Sequence, residues 1–212
     1  MEFITDELQY YVSSHSEVED ELLQKINRET HLNVLKPRML SGHFQGRVLS
    51  MLSHMIQPAR ILEIGTYTGY SALCMAEGLR EDGKLITIDI NEEIAERTRG
   101  YFLESRFASQ IEMKTGAAKA IIPHLKEKWD LAFIDADKVS YQAYFDLTID
   151  DVRPGGFIIA DNVLWSGKVL DEEAKDEDTL AMRKFNQSMQ QDTRVQNVLF
   201  PIRDGLMILR KK

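Results

Sequence analysis

Phe133-Ile134-Asp135-Ala136-Asp137-Lys138 and Phe157-Ile158-Ile159-Ala160-Asp161-Asn162 are the two stretches on which the fold of this chain turns. Each is an apolar run that stops abruptly in hard oxygen donors, the pattern of a buried parallel strand leaving the core. In an open α/β sheet the carboxyl ends of neighbouring strands share one crevice, where ligands bind. Asp135, Asp161 and Asn162 are therefore expected within reach of one another, a set suited to a divalent cation such as Mg²⁺. Taken singly, each residue also fits a plainer structural role. Asp161-Asn162 would cap a turn, Asp135 and Asp137 would be solvated, and Lys138 would lie on the surface. It is their joint occurrence at adjacent strand ends that favours the metal.

Working outward, strand-like runs at Arg60–Ile64, Leu85–Ile90, Ile111–Lys114, Leu131–Ile134 and Phe157–Ala160 alternate with helical patterns at Tyr70–Leu79, Glu92–Phe107, Ala117–Leu125 and Tyr141–Val152. That alternation predicts a parallel sheet with right-handed crossovers and helices on both faces. The rhythm breaks at the end, where Val195–Ile202 and Leu206–Arg210 are joined through Arg203-Asp204-Gly205. Asp-Gly is a hairpin signal, because both positions tolerate positive φ. The expected fold is thus α/β and Rossmann-like: a seven-stranded, mostly parallel sheet closed by a C-terminal antiparallel hairpin. That expected arrangement resembles the class I S-adenosylmethionine (SAM) methyltransferases more than the six parallel strands of nicotinamide binders. Residues 1–56 read as a helical cap and 57–212 as the core of one domain. The cap has an amphipathic start, a charged helix from Ser16 to about Arg28, and a helix from His43 to Met55. Between the last two, Pro37 disfavours helix in its predecessor.

Composition narrows the class. The chain has 212 residues, enough to bury a core, and a formal charge of −8, which disfavours a dedicated nucleic-acid binder. A single Cys74 rules out an intrachain disulfide and a cysteine-based zinc site. No apolar run approaches membrane-spanning length, and Met1–Glu7 lacks the basic start of a signal peptide. The expectation is a soluble, cytoplasmic protein without a membrane partner.

Glu63-Ile64-Gly65-Thr66-Tyr67-Thr68-Gly69-Tyr70-Ser71 occupies the first strand-to-helix turn. Gly65 and Gly69 permit a tight turn and close approach of backbone to ligand. The helix starting near Tyr70 would aim its first amides, and the Ser71 hydroxyl, at an anion, which in SAM is the methionine carboxylate. The G-x-x-x-G spacing departs from the G-x-G-x-x-G that holds a pyrophosphate. Asp89, ending Thr87-Ile88-Asp89, stands where a ribose would be bonded. Such turns are common in α/β proteins, and it is the sheet pattern that gives this one weight.

Chemistry follows from the donor set. Three protein oxygens leave Mg²⁺ open positions for an acceptor with two adjacent oxygens, as in a catechol. Methyl transfer from a sulfonium is an in-line displacement by oxygen. A metal would acidify and orient the hydroxyl, and Lys138 would approach it as general base.

The motifs Glu63–Ser71, Ile88-Asp89-Ile90-Asn91, Phe133–Lys138 and Asp161-Asn162-Val163-Leu164-Trp165-Ser166-Gly167, with Asp204-Gly205, resemble the metal-dependent O-methyltransferases that include animal catechol and plant caffeoyl-CoA enzymes. The likeness runs from about Pro37 to the C-terminus. It implies Asp135, Asp161 and Asn162 as ligands of Mg²⁺ or another divalent cation, and Lys138 as catalytic base beside Asp135. It implies SAM contacts at Glu63, Gly65, Thr66, Tyr67 and Ser71, with Asp89 on the ribose and Asp135 in the same pocket. Met39 and Ser41 match positions that close over the sulfonium, Ala118 one beside the adenine, and Asp137 a further cofactor contact. Trp165 falls in the loop bordering the acceptor, where a packing role fits it equally well. Animal catechol enzymes carry Trp where this chain has Asp137, and the plant acidic pair aligned with His43-Phe44 is missing. The acidic insertion Leu170–Asp178 disfavours a CoA-linked acceptor and otherwise reads as a solvated rim. The resemblance also implies a homodimer.

The expected activity is Mg-dependent O-methylation of a small aromatic, catechol-like acceptor. Three alternatives stay open: a tRNA 5-hydroxyuridine methyltransferase, a non-catalytic SAM-binding module, and a nicotinamide dehydrogenase.

Overall fold

The computed structural model describes residues 5–212. They form two compact units, one running to Ala117 and the other Ala118–Lys212.

In the first unit, helix α1 (Asp6–Ser14) is capped by Thr5, and α2 (Glu21–Asn33) by Asp20, whose carboxylate accepts from the Leu23 amide at 2.7 Å. That cap explains why α2 starts later than the expected Ser16, since a capping side chain competes with helix at its own position. Lys36 then adopts the left-handed conformation (φ 57°) before a 3₁₀ turn at Pro37–Met39. The residue before proline is excluded from helix, as expected. Helix α3 (Gly42–Ile56) follows, then β1 (Arg60–Ile64), α4 (Tyr70–Ala76), β2 (Lys84–Asp89), α5 (Ala95–Glu104) and β3 (Ile111–Thr115). The strands lie in the order β3-β2-β1, parallel throughout. Their core side chains, Ile61, Leu62, Ile64, Leu85 and Ile88, are almost fully buried. Helix α5 is shorter than its hydrophobic pattern because Asn91 is drawn into a turn, its amide donating to Asp89 Oδ1 at 2.8 Å.

The second unit comprises α6 (Ala118–Ile121), β4 (Trp129–Ile134), α7 (Tyr141–Ile149), β5 (Val152–Ala160), α8 (Glu177–Gln191), β6 (Val195–Phe200) and β7 (Leu206–Lys211). Strand order is β4-β5-β7-β6. β4 and β5 are parallel, and β7 is antiparallel to both its neighbours. The expected seven strands and reversed last strand are present. Three features differ from expectation. Helix α7 ends at Ile149, and Val152 already belongs to β5. Lys211 Nζ donates to the carbonyls of Ile149, Asp150 and Val152, so the C-terminal strand satisfies the helix end. The hairpin is not a tight Asp-Gly turn: Phe200 pairs with Leu206 across residues 201–205, and positive φ falls on Arg203 and Gly205. Helix α8 was hidden behind the acidic run. Asp176 is its N-cap, accepting from the Thr179 amide and hydroxyl, and Met182, Phe185 and Met189 form its buried stripe.

No helix among the described residues is long and apolar enough to cross a membrane.

Candidate active site

Two constellations carry polar groups that the sequence singled out, one in each unit. In the first, β1 and β2 run in register with Glu63 opposite Thr87. Glu63 is fully buried, yet its carboxylate is well bonded, accepting from Ser71 Oγ at 2.6 Å and from Thr87 Oγ1 at 2.5 Å. Thr87 Oγ1 in turn lies 2.5 Å from Thr66 Oγ1. A buried carboxylate is tolerated only when hydrogen bonds replace its hydration, and here hydroxyls from β2 and α4 supply them. Ser71, expected to face an anion, has its hydroxyl committed to Glu63.

The turn above Glu63 is shaped by Gly65 (φ 103°) and Gly69 (φ 81°). A Cβ on Gly69 would lie 2.6 Å from the Phe102 ring. Tyr67 also has positive φ, 48°, a conformation that costs energy in a non-glycine residue. It is held there by its amide donating to Asp89 Oδ2 at 2.6 Å and its carbonyl accepting from Thr98 Oγ1 at 3.0 Å. The Tyr67 hydroxyl donates to the carbonyls of Leu35 and Lys36 at 3.1 and 3.3 Å, tying the Met39–Ser41 loop to this turn. Met39 is exposed and Ser41 buried. Glu63, Ser71 and, through Thr87, Thr66 are thus joined by hydrogen bonds, as are Tyr67 and Asp89, while the Gly65 amide donates to the Ile88 carbonyl at 2.9 Å. Thr87 was missed from sequence, although it shares the Asp89 face of its strand and so carried a period-two signal.

In the second unit β4 and β5 end level, Ile134 opposite Ala160, so Asp135 and Asp161 leave from the same edge. Lys138, 7% exposed, folds back into this edge. Its Nζ donates to Asn162 Oδ1 at 2.7 Å, to Asp135 Oδ1 at 3.2 Å and to the Tyr141 hydroxyl at 2.6 Å. Those three oxygens match the three donors of an ammonium. Tyr141, fully buried, donates its own proton to the Asp161 carbonyl at 3.0 Å. Burial and the Asp135 charge push its phenol well above the usual value. The Asp161 carboxylate is 2% exposed and accepts from the Asn162 amide at 2.7 Å. Asn162 itself is left-handed (φ 59°), which asparagine tolerates better than most residues.

The other expected positions are arranged differently. The Asp137 carboxylate turns to the Tyr144 hydroxyl at 2.5 Å rather than to Lys138. Ala118 is buried at the start of α6. Trp165, also left-handed (φ 49°), places its ring 5.8 Å from Lys138 Nζ. Its loop is fixed from the hairpin: Leu164 N donates to the Asp204 carbonyl at 2.9 Å, Ser166 N to the Asp204 carboxylate, and Val163 N to the Gly205 carbonyl at 3.2 Å. Sequence reasoning passed over Tyr141, whose signal was its position one helical turn after Lys138, and this latching role of Asp204.

Among the described residues no group of three His, Cys, Asp or Glu side chains is arranged to hold a metal. The expected set has two carboxylates and one amide. Its chemistry fits a hard cation: oxygen donors only, two of them already converging on one positive centre, the Lys138 ammonium.

A family model described as O-methyltransferase matches residues 13–212. A catechol O-methyltransferase of Niastella koreensis is 34% identical over 197 residues, covering 91% of this chain and 88% of that protein. A probable caffeoyl-CoA O-methyltransferase of Dictyostelium discoideum is 28% identical over 207 residues, 95% of this chain and 90% of that one. Among solved structures, an O-methyltransferase from Bacillus cereus in complex with S-adenosylhomocysteine superimposes with a TM-score of 0.90 at 29% identity, covering 97% of each chain. The SAM complex of the O-methyltransferase TomG from Streptomyces achromogenes gives 0.88 at 29% identity, over 97% of this chain and 96% of that one.

Proposed function

This chain belongs to the O-methyltransferase family, and from that premise we propose that it transfers the methyl group of SAM to one hydroxyl of a small catechol-like acceptor, with a divalent cation such as Mg²⁺. The Lys138 contacts carry the reading: an amine, a carboxylate and an amide oxygen drawn to one point, the equipment for binding and deprotonating a chelating diol.

In this reading the Gly65–Ser71 turn and Asp89 hold SAM, the strained Tyr67 backbone being kept in place by Asp89 and Thr98. Glu63 organises that turn through Ser71. Asp135, Asp161 and Asn162 would hold the cation, which when bound would supply acidity to a hydroxyl and neutralise charge. Lys138, as the neutral amine, would accept the hydroxyl proton and become the ammonium. The acceptor oxygen then forms its bond to the methyl carbon as the carbon–sulfur bond breaks, and S-adenosylhomocysteine leaves with the electron pair on sulfur. Holding the two reactants in line is worth roughly 7–11 kcal/mol of barrier where orientation is complete. A homodimer, implied by the family resemblance, is part of the proposal, and light scattering tests it.

The decisive experiment supplies labelled SAM with a panel of catechols, monophenols and total tRNA, each with Mg²⁺ and with chelator. Methylation of catechols that chelator abolishes is expected. Label in tRNA alone would transfer the reading to a nucleoside acceptor, and full turnover in chelator would remove the metal from it. Lys138→Ala should lower kcat about 10²–10⁴-fold, the worth of a general base, with SAM affinity retained.

A further inference from the structure

Lys138 Nζ occupies a particular place: it donates at once to Asp135 and Asn162, two of the three residues proposed to hold the cation. Every one of its three donors is used, the third by Tyr141. Its side chain is 8% exposed and that of Asp135 22%, so this is a sheltered contact and not a passing surface pair. Aromatic faces close over it, with ring centroids 4.7 Å away at Tyr141 and 5.8 Å at Trp165.

We infer that Lys138 is an internal competitor for the divalent cation, its ammonium standing in the cradle until metal displaces it. This rests on the metal reading above and adds a second task for the same residue. Asn162 Oδ1 lies 2.7 Å and Asp135 Oδ1 3.2 Å from Nζ, so a cation taken up by these oxygens would meet the positive charge of the amine at close range. The charges agree with exchange. Two carboxylates, Asp135 and Asp161, border the cradle; an ammonium balances one of them, a divalent cation both. The cradle is thereby kept partly neutralised in the metal-free protein, and the amine is released from Asn162 only when a stronger positive centre arrives. The buried Tyr141 hydroxyl also accepts from the amine at 2.6 Å, so the displaced lysine has a fixed partner to pivot on. The consequence is an ordered preparation of the site: the amine leaves Asp135 and Asn162 before it turns to an acceptor hydroxyl.

The test is metal affinity in the absence of both SAM and acceptor. Mn²⁺ binding, read from the loss of the free-ion electron paramagnetic resonance signal, is compared in wild type, Lys138→Met and Lys138→Gln. Each variant is first checked for a wild-type melting curve. Loss of a charge-assisted competitor should tighten Mn²⁺ about ten- to a hundredfold in both variants. A second readout needs no substitution: in ¹⁵N-lysine-labelled wild type, one protected side-chain ammonium signal should shift on titration with Mg²⁺. Unchanged or weaker Mn²⁺ binding in the variants, or metal uptake without movement of any lysine signal, overturns the inference while leaving the metal site standing. Wild-type protein that takes up no metal overturns the inference together with the metal reading.

Discussion

Glu63 has no exposed surface and two hydroxyl donors, and those two facts set what its replacement does. Glu63→Ala removes the acceptor for Ser71 and Thr87 together and leaves a void between β1, β2 and α4. Unsatisfied buried hydroxyls cost about 1–3 kcal/mol each. Urea unfolding should therefore show a loss of roughly that size or more, and SAM affinity should fall because Ser71 is no longer held. A variant as stable as wild type would mean that water restores the bonds. Gly69 makes a sharper case. Its φ of 81° and a would-be Cβ 2.6 Å from Phe102 combine backbone strain with overlap. Gly69→Ala should cost about 1–3 kcal/mol and weaken SAM binding through displacement of Tyr67. Pairing it with Phe102→Leu, which removes the overlapping ring atoms, should return part of the stability and not the strain. At the residue scale, sequence reading located strand ends better than it located side-chain partners. Asp135 and Asn162 were legible because a long apolar run that breaks off in oxygen donors marks the point where a buried strand meets a polar crevice. Lys138 was picked out as a candidate base, and its bridge between Asp135 and Asn162 was not legible, since a chain cannot show which way a four-carbon stem folds.

At the scale of elements, the strands were readable because continuous apolar runs mark parallel strands buried on both faces. The helices were readable where their stripes were strong, and their ends were not, because ends are decided by single caps. Asp20 moved the start of α2, and Asp176 opened a whole helix that looked like a charged rim. The Asp204-Gly205 signal located a reversal correctly but not its geometry, since Asp204 is engaged in holding the neighbouring loop. Arg183 on α8 does the same for the stretch beyond it. Its guanidinium donates to the carbonyls of Val169, Ala174 and Lys168, each at 3.0 Å, and to Asp171. One planar fork satisfying four carbonyls orders a segment that, past the 3₁₀ turn ending at Leu170, has no strand or helix before α8. Arg183→Met keeps the stem and removes the donors. It should raise amide hydrogen exchange across residues 168–174 about tenfold or more, a loss near 1.4 kcal/mol of local stability. Asp204→Ala should do so across 163–167. If exchange rises equally over the whole chain in either variant, the effect is global unfolding and the latch is not local.

The whole molecule carries a formal charge of −8, and among the described residues three carboxylates are held below their usual range. Glu112 is lowered first by Lys114 and then by Lys84, Asp176 by the Thr179 hydroxyl and amide, and Asp192 by Arg194. Ordinary values for these groups are 4.5 for Glu112 and 3.8 for the two aspartates. A carboxylate depressed by folding binds protons less readily than the same group in the unfolded chain. Between the two values the unfolded state takes up more protons, so stability rises with pH there. Their contribution is complete above the ordinary values and disappears as pH falls through the lower, folded ones. These pairs sit near solvent, so salt should shrink them. Urea midpoints measured from pH 6 down to pH 3 should accordingly hold level to about pH 5 and then fall, more steeply at low ionic strength. Asp192→Asn, which cannot be protonated, should lower the plateau slightly and flatten the descent. A midpoint that climbs on acidification would mean that relief of the net negative charge outweighs the loss of these pairs. The acid limb would then belong to repulsion across the chain and not to Arg194, Lys114 and Lys84.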